Sequence, residues 1–474
     1  MWTILLIGYF LTWALIPRIL LAKKPPVSTL AWLWAIILFP YVGPLFYFVF
    51  GVEGMTRKRI QSRAEFRRSK LDNPSLDEDG KQVSHLIEIL SGGEQRTMIG
   101  LSRVNEFAPS TADEIALLTN AKSFYEALNQ SISEAQHHAH IQFYTVRADK
   151  YGRALLDAVV AAAKRGVQIR VLADRVGSQS LDRDFFDPLI AAGGQFQFFR
   201  TLVPLKNRFS INLRNHRKLQ SIDARLAFVG GMNLGREYAE EDPGIGGWHD
   251  IQMRLRGNIT ASLQDVFAND WYFATGEELV APIYYQCHSE KGIYLTQAIS
   301  GGPDLPQEPM PKSFALLLHA ATKRVWLTTG YFVPDAFLLN ALKICVVRGV
   351  DVRLLVSEKS DHPVLVRIGR SFYEELLQTG VRIFEYQKGM NHGKVMAIDG
   401  EWLMVGSANF DHRSMRLNFE LNVLAKDPVR TAELENVILG YFEDSNEVTE
   451  TQIRNKTFSQ RMIEAALRPF APLL

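Results

Sequence analysis

Two eight-residue stretches, far apart in the chain, share one chemical pattern. Residues 216–223 read HRKLQSID and residues 392–399 read HGKVMAID, so each has His, then Lys two positions later, then Asp after four more residues. A glycine follows each Asp by seven positions, and Asn233 and Asn409 follow by ten. One such match arises by chance, but two with the same tail indicate a duplicated unit.

The sequence around the two motifs repeats as well. An Arg-Gly-Val step at residues 165–167 and 348–350 stands, in both copies, where a helix ends and a buried strand begins. This alternation predicts an α/β fold of two similar units, each a mixed sheet flanked by helices, related by a pseudo-twofold axis. The predicted segments are an N-terminal membrane hairpin, a basic collar with linker, a first unit and a second unit, at residues 1–54, 55–110, 111–290 and 291–474.

The motif spacing predicts a cationic pocket in each unit. Positions i and i+2 of an extended strand point the same way, so His216 shares a face with Lys218, and His392 with Lys394. Two such pockets facing each other would surround one phosphoryl group with two imidazoles and two ammonium groups. The amides expected to bind the remaining phosphate oxygens are those of Asn233 and Asn409.

Two acidic residues are candidates for orienting the histidines. A nucleophilic imidazole needs an acceptor for its other N–H, which fixes the tautomer. Asp250 lies 34 residues after His216, and Glu420 lies 28 residues after His392. We expect Asp250 to orient His216 and Glu420 to orient His392. The alternative is that both are ordinary surface acids.

The N-terminal segment is strongly apolar. Residues 2–16 and residues 27–52 are two nearly uninterrupted uncharged runs, and the second exceeds the roughly 20 residues needed to cross a bilayer. The pattern predicts a membrane hairpin rather than a secretory signal, because no basic segment precedes the first run. Pro40 and Pro44 disfavour a straight second helix, so spanning and re-entrant topologies are both open.

The overall charge of +2 hides a basic collar. Seven basic residues and one acid between residues 57 and 70 give that stretch a charge of +6. They are Arg57, Lys58, Arg59, Arg63, Arg67, Arg68, Lys70 and Glu65. A basic collar after an apolar hairpin favours an anionic membrane surface and a cytoplasmic position for the units that follow, and argues against a nucleic-acid binder. With only two cysteines, a disulfide scaffold and a Cys-rich zinc site are excluded.

The duplicated motif resembles that of the phospholipase D superfamily. The N-terminal hairpin, SGGP at residues 300–303 and YFVP at residues 331–334 narrow the resemblance to the membrane-anchored bacterial cardiolipin synthases, over essentially the whole chain. That family usually has proline before the Tyr-Phe pair, where this sequence has Gly330.

The resemblance implies a two-step phosphatidyl transfer through a phosphohistidine, without metal or other cofactor. By analogy His216 is the nucleophile and His392 the acid and base, although the symmetric motifs leave the assignment open. Lys218 and Lys394 would hold the phosphate. Asp223 and Asp399 complete the motifs. They are grouped with the catalytic residues and would act as structural or electrostatic supports.

The implied reaction joins two phosphatidylglycerols and releases glycerol, at the inner membrane of a bacterium with the catalytic units on the cytoplasmic side. The implied partners are phosphatidylglycerol and anionic membrane lipid, with no nucleic acid; a homo-oligomer is left open. The rival functions are another phospholipase D-type phosphatidyltransferase, a hydrolytic phospholipase D, a nuclease of the same superfamily and a non-catalytic membrane scaffold.

Overall fold

The computed structural model divides the chain into two compact units. One comprises Met1–Arg63 with Arg200–Leu213, and the other comprises Ala64–Phe199 with Arg214–Leu474. The residues described are 2–22, 26–47, 62–63, 65, 80–182, 184–199, 213–239, 244–286 and 292–473. Apart from Arg63 and Glu65, the charged residues of the basic collar lie outside these ranges, so the collar stays a prediction from sequence.

The described part of the N-terminal unit contains one helix of 20 residues and two shorter ones. They are α1 (Trp2–Leu21), α2 (Pro26–Leu38) and α3 (Val42–Phe46). For the second apolar run the sequence left spanning and re-entrant topologies open. The run ends as a helix at Leu38 after 13 residues, about 20 Å, because Pro40 lies in the turn that follows.

Gly43 permits the close return of α3 onto α2. A Cβ at this position would lie 2.2 Å from the carbonyl oxygen of Ala35, a distance that no side chain tolerates. Within the described residues, no helix combines the length and the apolar character required to cross a membrane.

The larger unit contains the remaining helices. In chain order they are α4 (Gly80–Glu88), α5 (Gly92–Val104), α6 (Ala121–Glu134), α7 (Lys150–Lys164), α8 (Asp187–Ala191), α9 (Arg236–Ala239), α10 (Ile259–Thr275), α11 (Pro309–Ala320), α12 (Ala336–Val347), α13 (Pro363–Arg370), α14 (Tyr373–Leu377), α15 (His412–Arg416), α16 (Pro428–Glu443), α17 (Glu450–Arg454) and α18 (Phe458–Leu467). Short 3₁₀ turns cover Pro282–Tyr284 and Arg468–Leu473.

The strands of the larger unit form two main sheets. In chain order they are β1 (Ser110–Ala112), β2 (Glu114–Leu118), β3 (His138–Phe143), β4 (Gln168–Asp174), β5 (Gln195–Phe199), β6 (Arg214–Asn215), β7 (Leu219–Ile222), β8 (Leu226–Gly230), β9 (Gly247–His249), β10 (Gln252–Arg256), β11 (Tyr294–Gly301), β12 (Arg324–Thr328), β13 (Phe332–Val333), β14 (Asp351–Ser357), β15 (Arg382–Tyr386), β16 (Gly389–Asn391), β17 (Val395–Ile398), β18 (Trp402–Gly406), β19 (Phe410–Asp411), β20 (Asn418–Lys426) and β21 (Ser445–Glu447).

The two sheets have the same strand order, which confirms the predicted repeat and fold class. The first sheet runs β2-β10-β8-β7-β3-β4-β5, and the second contains β11-β20-β18-β17-β12-β14-β15 in matching positions. In both, the last three strands are mutually parallel and the others antiparallel. The second sheet has one further strand, β1, which pairs with β11. This strand lies at the end of the predicted linker in the sequence, but it belongs to the sheet of the second half.

The two sheets share one apolar core. Leu219 and Met253 of the first sheet pack in the same buried cluster as Val405 and Val423 of the second. The outer faces are covered by helices, with Phe124 of α6 over the first sheet and Leu338 of α12 over the second. Helices α10 and α16 also contribute to the shared core, for example with Trp271 and Leu434. Both sheets are therefore covered on both faces, which explains why their strands read as continuous apolar runs rather than alternating ones.

Two short parallel pairings join the halves where the motifs begin. β6, which leads into His216, pairs with the start of β20 from the second half. β16, which leads into His392, pairs with β9 from the first half. The backbone N–H groups of His216 and His392 extend these pairings, donating to the carbonyls of Phe419 (2.9 Å) and His249 (2.7 Å). The pairings bring both motifs to one place.

Candidate active site

His216 is oriented by a carboxylate from the second half. Its Nδ1 lies 3.0 and 3.1 Å from the two carboxylate oxygens of Glu420. The Glu420 side chain is fully buried and accepts further hydrogen bonds from Ser407 Oγ (2.5 Å) and Asn418 Nδ2 (3.2 Å). Since Nδ1 is engaged, Nε2 is the nitrogen of His216 that remains for chemistry.

His392 is oriented by a carboxylate from the first half. Its Nδ1 lies 2.7 Å from Oδ2 of Asp250, and both side chains are buried. The Nζ of Lys394 lies 2.6 Å from the same nitrogen. As in the other half, the contacts of Nδ1 leave Nε2 of His392 for the reacting group.

The sequence expectation paired these residues the wrong way round. We expected Asp250 to serve His216 and Glu420 to serve His392, whereas each carboxylate serves the histidine of the other half. The reason is the cross-pairing of the short strands, which sets Phe419 beside Asn215 and therefore Glu420 beside His216. The alternative of ordinary surface acids is also wrong, because both carboxylates are buried.

The two motif lysines lie in the same buried region. Lys218 donates to the carbonyl of His216 at 2.6 Å, and Lys394 donates to the carbonyl of His392. Each ammonium group is thus folded back beside its own histidine, as the spacing predicts. Burial lowers the pKa of Lys218 well below its usual range, and it lowers the pKa of Lys394 to about 8 against the opposing charge of Asp250.

The two carboxylates differ in their ionisation. Burial opposes ionisation of Glu420, but the neighbouring His216 and Lys218 bring its pKa below the usual range. Burial raises the pKa of Asp250 to about 6, although Lys394 opposes the shift. Burial also lowers the pKa of both imidazoles, and the nearby lysines add to that shift in both, but in His216 the Glu420 carboxylate opposes it. The chemically similar motifs are therefore electrostatically distinct.

Arg217, inside the first motif, is a residue whose role the sequence does not reveal. Its side chain is fully buried and pairs with Asp270 at 2.7 and 2.8 Å. It also donates to Ser300 Oγ (2.7 Å), the carbonyl of Gly301 (2.9 Å) and the carbonyl of Glu420 (3.1 Å). Arg217 thereby ties the first motif to the strand that carries Glu420. The SGGP segment supplies two of its acceptors, which is a structural reason for that sequence signal.

Asn233 was expected to bind phosphate; this stays a prediction, and the described contacts of its amide are with the protein. Its Oδ1 accepts from the backbone N–H of Thr145 at 3.0 Å, and its Nδ2 donates to Tyr238 Oη at 2.9 Å. Tyr238 in turn lies 3.3 Å from Nδ1 of His392. Tyr238 is thus a second residue that sequence reasoning missed, because it lies outside both motifs.

Asn409 occupies the corresponding place in the second half with different surroundings. It is buried, and its Oδ1 has no hydrogen-bond partner among the described residues. A Cβ added at Gly330 would lie 3.4 Å from that atom and 3.0 Å from Cδ2 of His392, so Asn409 lies next to the site. Phosphate binding by Asn409 stays a prediction.

The arrangement matches that of known proteins. Residues 128–271 and 315–441 match the family model described as cardiolipin synthase, PLD-like domain. The chain belongs to the cardiolipin synthase family. Residues 10–51 match a second model, described as phospholipase D-nuclease N-terminal.

The similarity to curated proteins extends over nearly the whole length of this chain. Cardiolipin synthase of Geobacillus thermodenitrificans is 36% identical over 96% of this chain and 90% of its own. Cardiolipin synthase A of Pseudomonas putida is 34% identical over 94% of this chain and 92% of its own. The crystal structure of phosphatidylserine synthase from Haemophilus influenzae Rd KW20 shares the fold, with a TM-score of 0.60 at 15% identity over 80% of this chain and 98% of that one.

The aspartates that end the family motifs have a structural position. Asp399 adopts a left-handed backbone conformation, with φ of 57°, and its carboxylate accepts from the backbone N–H groups of residues 322, 323 and 324 at 2.8, 2.8 and 2.9 Å. Asp223 repeats this arrangement on residues 136, 137 and 138. Both lie at the far end of a strand from the motif lysines. Their grouping with the catalytic residues is therefore corrected, while the supporting role is consistent with their contacts.

Replacing Asp399 tests this role. Asp399→Ala leaves three backbone N–H groups without their acceptor and should lower the free energy of unfolding by about 1–3 kcal/mol. Asp399→Asn keeps an amide oxygen and tolerates the left-handed conformation, so it should lose less. Thermal unfolding of the full chain in detergent measures both, with Asp184→Ala at an exposed site as control. An Asp399→Ala protein as stable as wild type would contradict the assignment.

Proposed function

We propose that this chain synthesises cardiolipin by transferring a phosphatidyl group from one phosphatidylglycerol to another, with release of glycerol. The observation that carries the proposal is the convergence of two imidazoles, each bonded to a buried carboxylate, with two buried lysine side chains. The membership in the cardiolipin synthase family supports the choice of lipid substrate.

His216 serves as the nucleophile in this proposal. Its partner Glu420 is held ionised by His216, Lys218 and the Ser407 hydroxyl, whereas the pKa of Asp250 beside His392 is raised to about 6 by burial. An ionised partner stabilises the positive charge that the imidazole gains when Nε2 attacks phosphorus. Attack forms the bond between Nε2 and phosphorus and breaks the bond between phosphorus and the glycerol oxygen.

His392 transfers the protons. Nε2 of its imidazolium gives a proton to the departing glycerol oxygen, and the neutral imidazole then takes the proton of the incoming hydroxyl. That hydroxyl oxygen forms the new bond to phosphorus, and the electron pair of the phosphorus–nitrogen bond returns to His216. The phosphodiester anion favours the imidazolium form of His392, which burial disfavours in the empty site.

The motif lysines hold the phosphoryl oxygens. Lys218 and Lys394 are buried beside the histidines, where a charge-assisted hydrogen bond is stronger than in water. Their donors are fixed before the reaction, so the charge that develops on the equatorial oxygens meets preorganised partners. Asn409 adds an amide at the same place.

The acceptor identity is tested with purified protein. Labelled phosphatidylglycerol in detergent micelles with EDTA should yield cardiolipin and glycerol for wild type, and no product for His216→Ala or His392→Ala. Thin-layer chromatography separates the lipids, and Asp184→Ala is the control. Phosphatidic acid as the main product would make water the acceptor and the enzyme a hydrolytic phospholipase D. Activity retained in both histidine variants would contradict the mechanism.

The pH dependence follows from the buried groups. Asp250 must be ionised to orient His392, so kcat/KM should fall as the pH drops below about 6. Lys394 must be charged to hold phosphate, so kcat/KM should fall as the pH rises above about 8. Initial rates across this range, at low substrate, give the two limbs of the profile.

Matched variants assign the limbs. Asp250→Asn should remove the acid limb and lower kcat roughly 100-fold or more, because the His392 tautomer is no longer enforced. Lys394→Arg should move the alkaline limb to higher pH, since guanidinium stays charged. A profile unchanged by either substitution would rule out these assignments.

We further propose that the N-terminal helices attach the chain to the inner membrane of a bacterium, with the catalytic unit on the cytoplasmic side. The described part of that segment exposes large apolar side chains, among them Phe10, Trp13 and Phe39 at 75%, 71% and 61% exposure. Such a surface fits insertion into the lipid interface. The cytoplasmic assignment rests on the basic collar.

Vesicle flotation tests the attachment. The double variant Trp13→Ser, Phe39→Ser should float less well than wild type with vesicles containing phosphatidylglycerol, because apolar area that enters the interface is lost. Phe458→Ser removes an equally exposed ring from the catalytic unit and serves as control. Equal flotation of all three proteins would contradict attachment through these helices.

A further inference from the structure

A short segment of the second half packs directly on the imidazole of His392. A Cβ added at Gly330 would lie 3.0 Å from Cδ2 of that ring, closer than most Cβ contacts, so the backbone of Gly330 lies against the imidazole. Thr329 fixes the segment, because its hydroxyl accepts from the backbone N–H of Phe410 (2.9 Å) and donates to the carbonyl of Tyr331 (2.7 Å). The backbone of Tyr331 is thereby held beside the proton-transferring histidine.

Tyr331 brings a carboxylate to the same side. Its ring centroid lies 6.0 Å from that of His392, and its hydroxyl donates to Oδ1 of Asp361 at 2.7 Å. Ser360 donates to the same oxygen at 3.0 Å. The other oxygen, Oδ2, lies 3.6 Å from Nε2 of His362, a side chain that is 63% exposed. Asp361 thus has one oxygen committed to the protein and one at a solvent-accessible edge.

The charge of Asp361 reaches the reacting groups. Burial lowers the pKa of His392, and the Asp361 carboxylate opposes that shift. The Asp361 carboxylate also opposes the lowering of the Lys394 pKa by burial. Burial raises the pKa of Tyr331, so its phenol stays protonated and donates to Asp361. These groups form an acceptor-rich edge beside His392 that no step of the proposed mechanism uses.

The two halves of the reaction require a place for glycerol at this histidine. The departing glycerol oxygen takes its proton from His392, and the incoming glycerol hydroxyl gives its proton to the same atom. By microscopic reversibility, glycerol that attacks the phosphohistidine occupies the subsite from which glycerol departs. The glycerol headgroup of the acceptor lipid must place its hydroxyl at the same atom of His392 and therefore uses the same subsite. The remaining hydroxyls of these glycerol groups need acceptors, and an ionised carboxylate is an acceptor-only group that binds hydroxyl donors strongly.

We propose that Tyr331 and Asp361 form the polyol subsite that holds the free hydroxyls of glycerol while His392 transfers the proton of the reacting one. Asp361 Oδ2 accepts from one hydroxyl, and Tyr331 Oη, whose proton is given to Asp361, accepts from another. The proposal rests on the proposed function and adds the basis of its selectivity for a glycerol headgroup over water and simple alcohols.

Competition between alcohols tests the subsite. Wild-type protein with phosphatidylglycerol as donor is offered labelled glycerol and labelled propan-1-ol, which lacks the two further hydroxyls. We expect wild type to favour glycerol roughly tenfold or more. Asp361→Asn should bring the preference close to unity, and Tyr331→Phe should reduce it by a smaller factor. Asp184→Asn is the matched charge control, because it lies at an exposed site of the first half.

A second measurement distinguishes a loss of alcohol selectivity from general damage to the enzyme. Asp361→Asn should still retain labelled phosphate on the protein after an alkaline quench at saturating donor, because His216 is intact, but this adduct should form more slowly, because Asp361 also holds the departing glycerol. An unaltered glycerol preference in Asp361→Asn, with normal cardiolipin synthesis, overturns the subsite alone. A preference of wild type for 2-aminoethanol over glycerol also overturns it, since Asp361 would then bind an ammonium group. Phosphatidic acid as the only wild-type product overturns the proposed function as well.

Discussion

Each histidine of the site is held by a carboxylate from the opposite half of the duplicated fold, and the rest of the site depends on this exchange. Nδ1 of His216 is bonded to Glu420, and Nδ1 of His392 to Asp250. Two short parallel strand pairings impose the exchange, because they set the backbone leading into each motif beside the backbone leading into the other half's acid. The shared core of the two sheets then fixes the distance between the halves.

The site can hold a protonated imidazole only when a phosphodiester is bound. Two buried ammonium groups, Lys218 and Lys394, face two buried carboxylates, Glu420 and Asp250. Burying an unpaired charge is costly, so this neutral set tolerates no additional cation. A phosphodiester anion adds one negative charge and allows one imidazolium to form. Substrate binding therefore brings with it the proton that the leaving group requires, and the empty site keeps its imidazoles neutral.

Much of the fold and site could be predicted from the sequence, because the duplicated motif marks matching positions of two units. The spacing of the motif residues predicted the repeat, the fold class and the residues that come together. The pairing of Asp250 and Glu420 with the histidines was predicted wrongly, since proximity in sequence says nothing about strands that cross between halves. The positions of Arg217 and Tyr238 were missed because their contacts are set only by tertiary packing. Pro40 was correctly taken to disfavour a straight helix in the second apolar run, which ends as a helix at Leu38, whereas the topology of that run could not be predicted.

The reciprocal pairings have the form of an isologous interface. The first half offers β6 and β9 to the second, and the second offers β16 and the start of β20 to the first, as two subunits of a twofold dimer do. A single half, expressed alone, would contain a histidine without its carboxylate and would have to meet a copy of itself to complete a site. In one chain the two halves are always present together, so completing the site does not depend on concentration. The two halves also need not be identical, and Glu420 and Asp250 do lie in different environments.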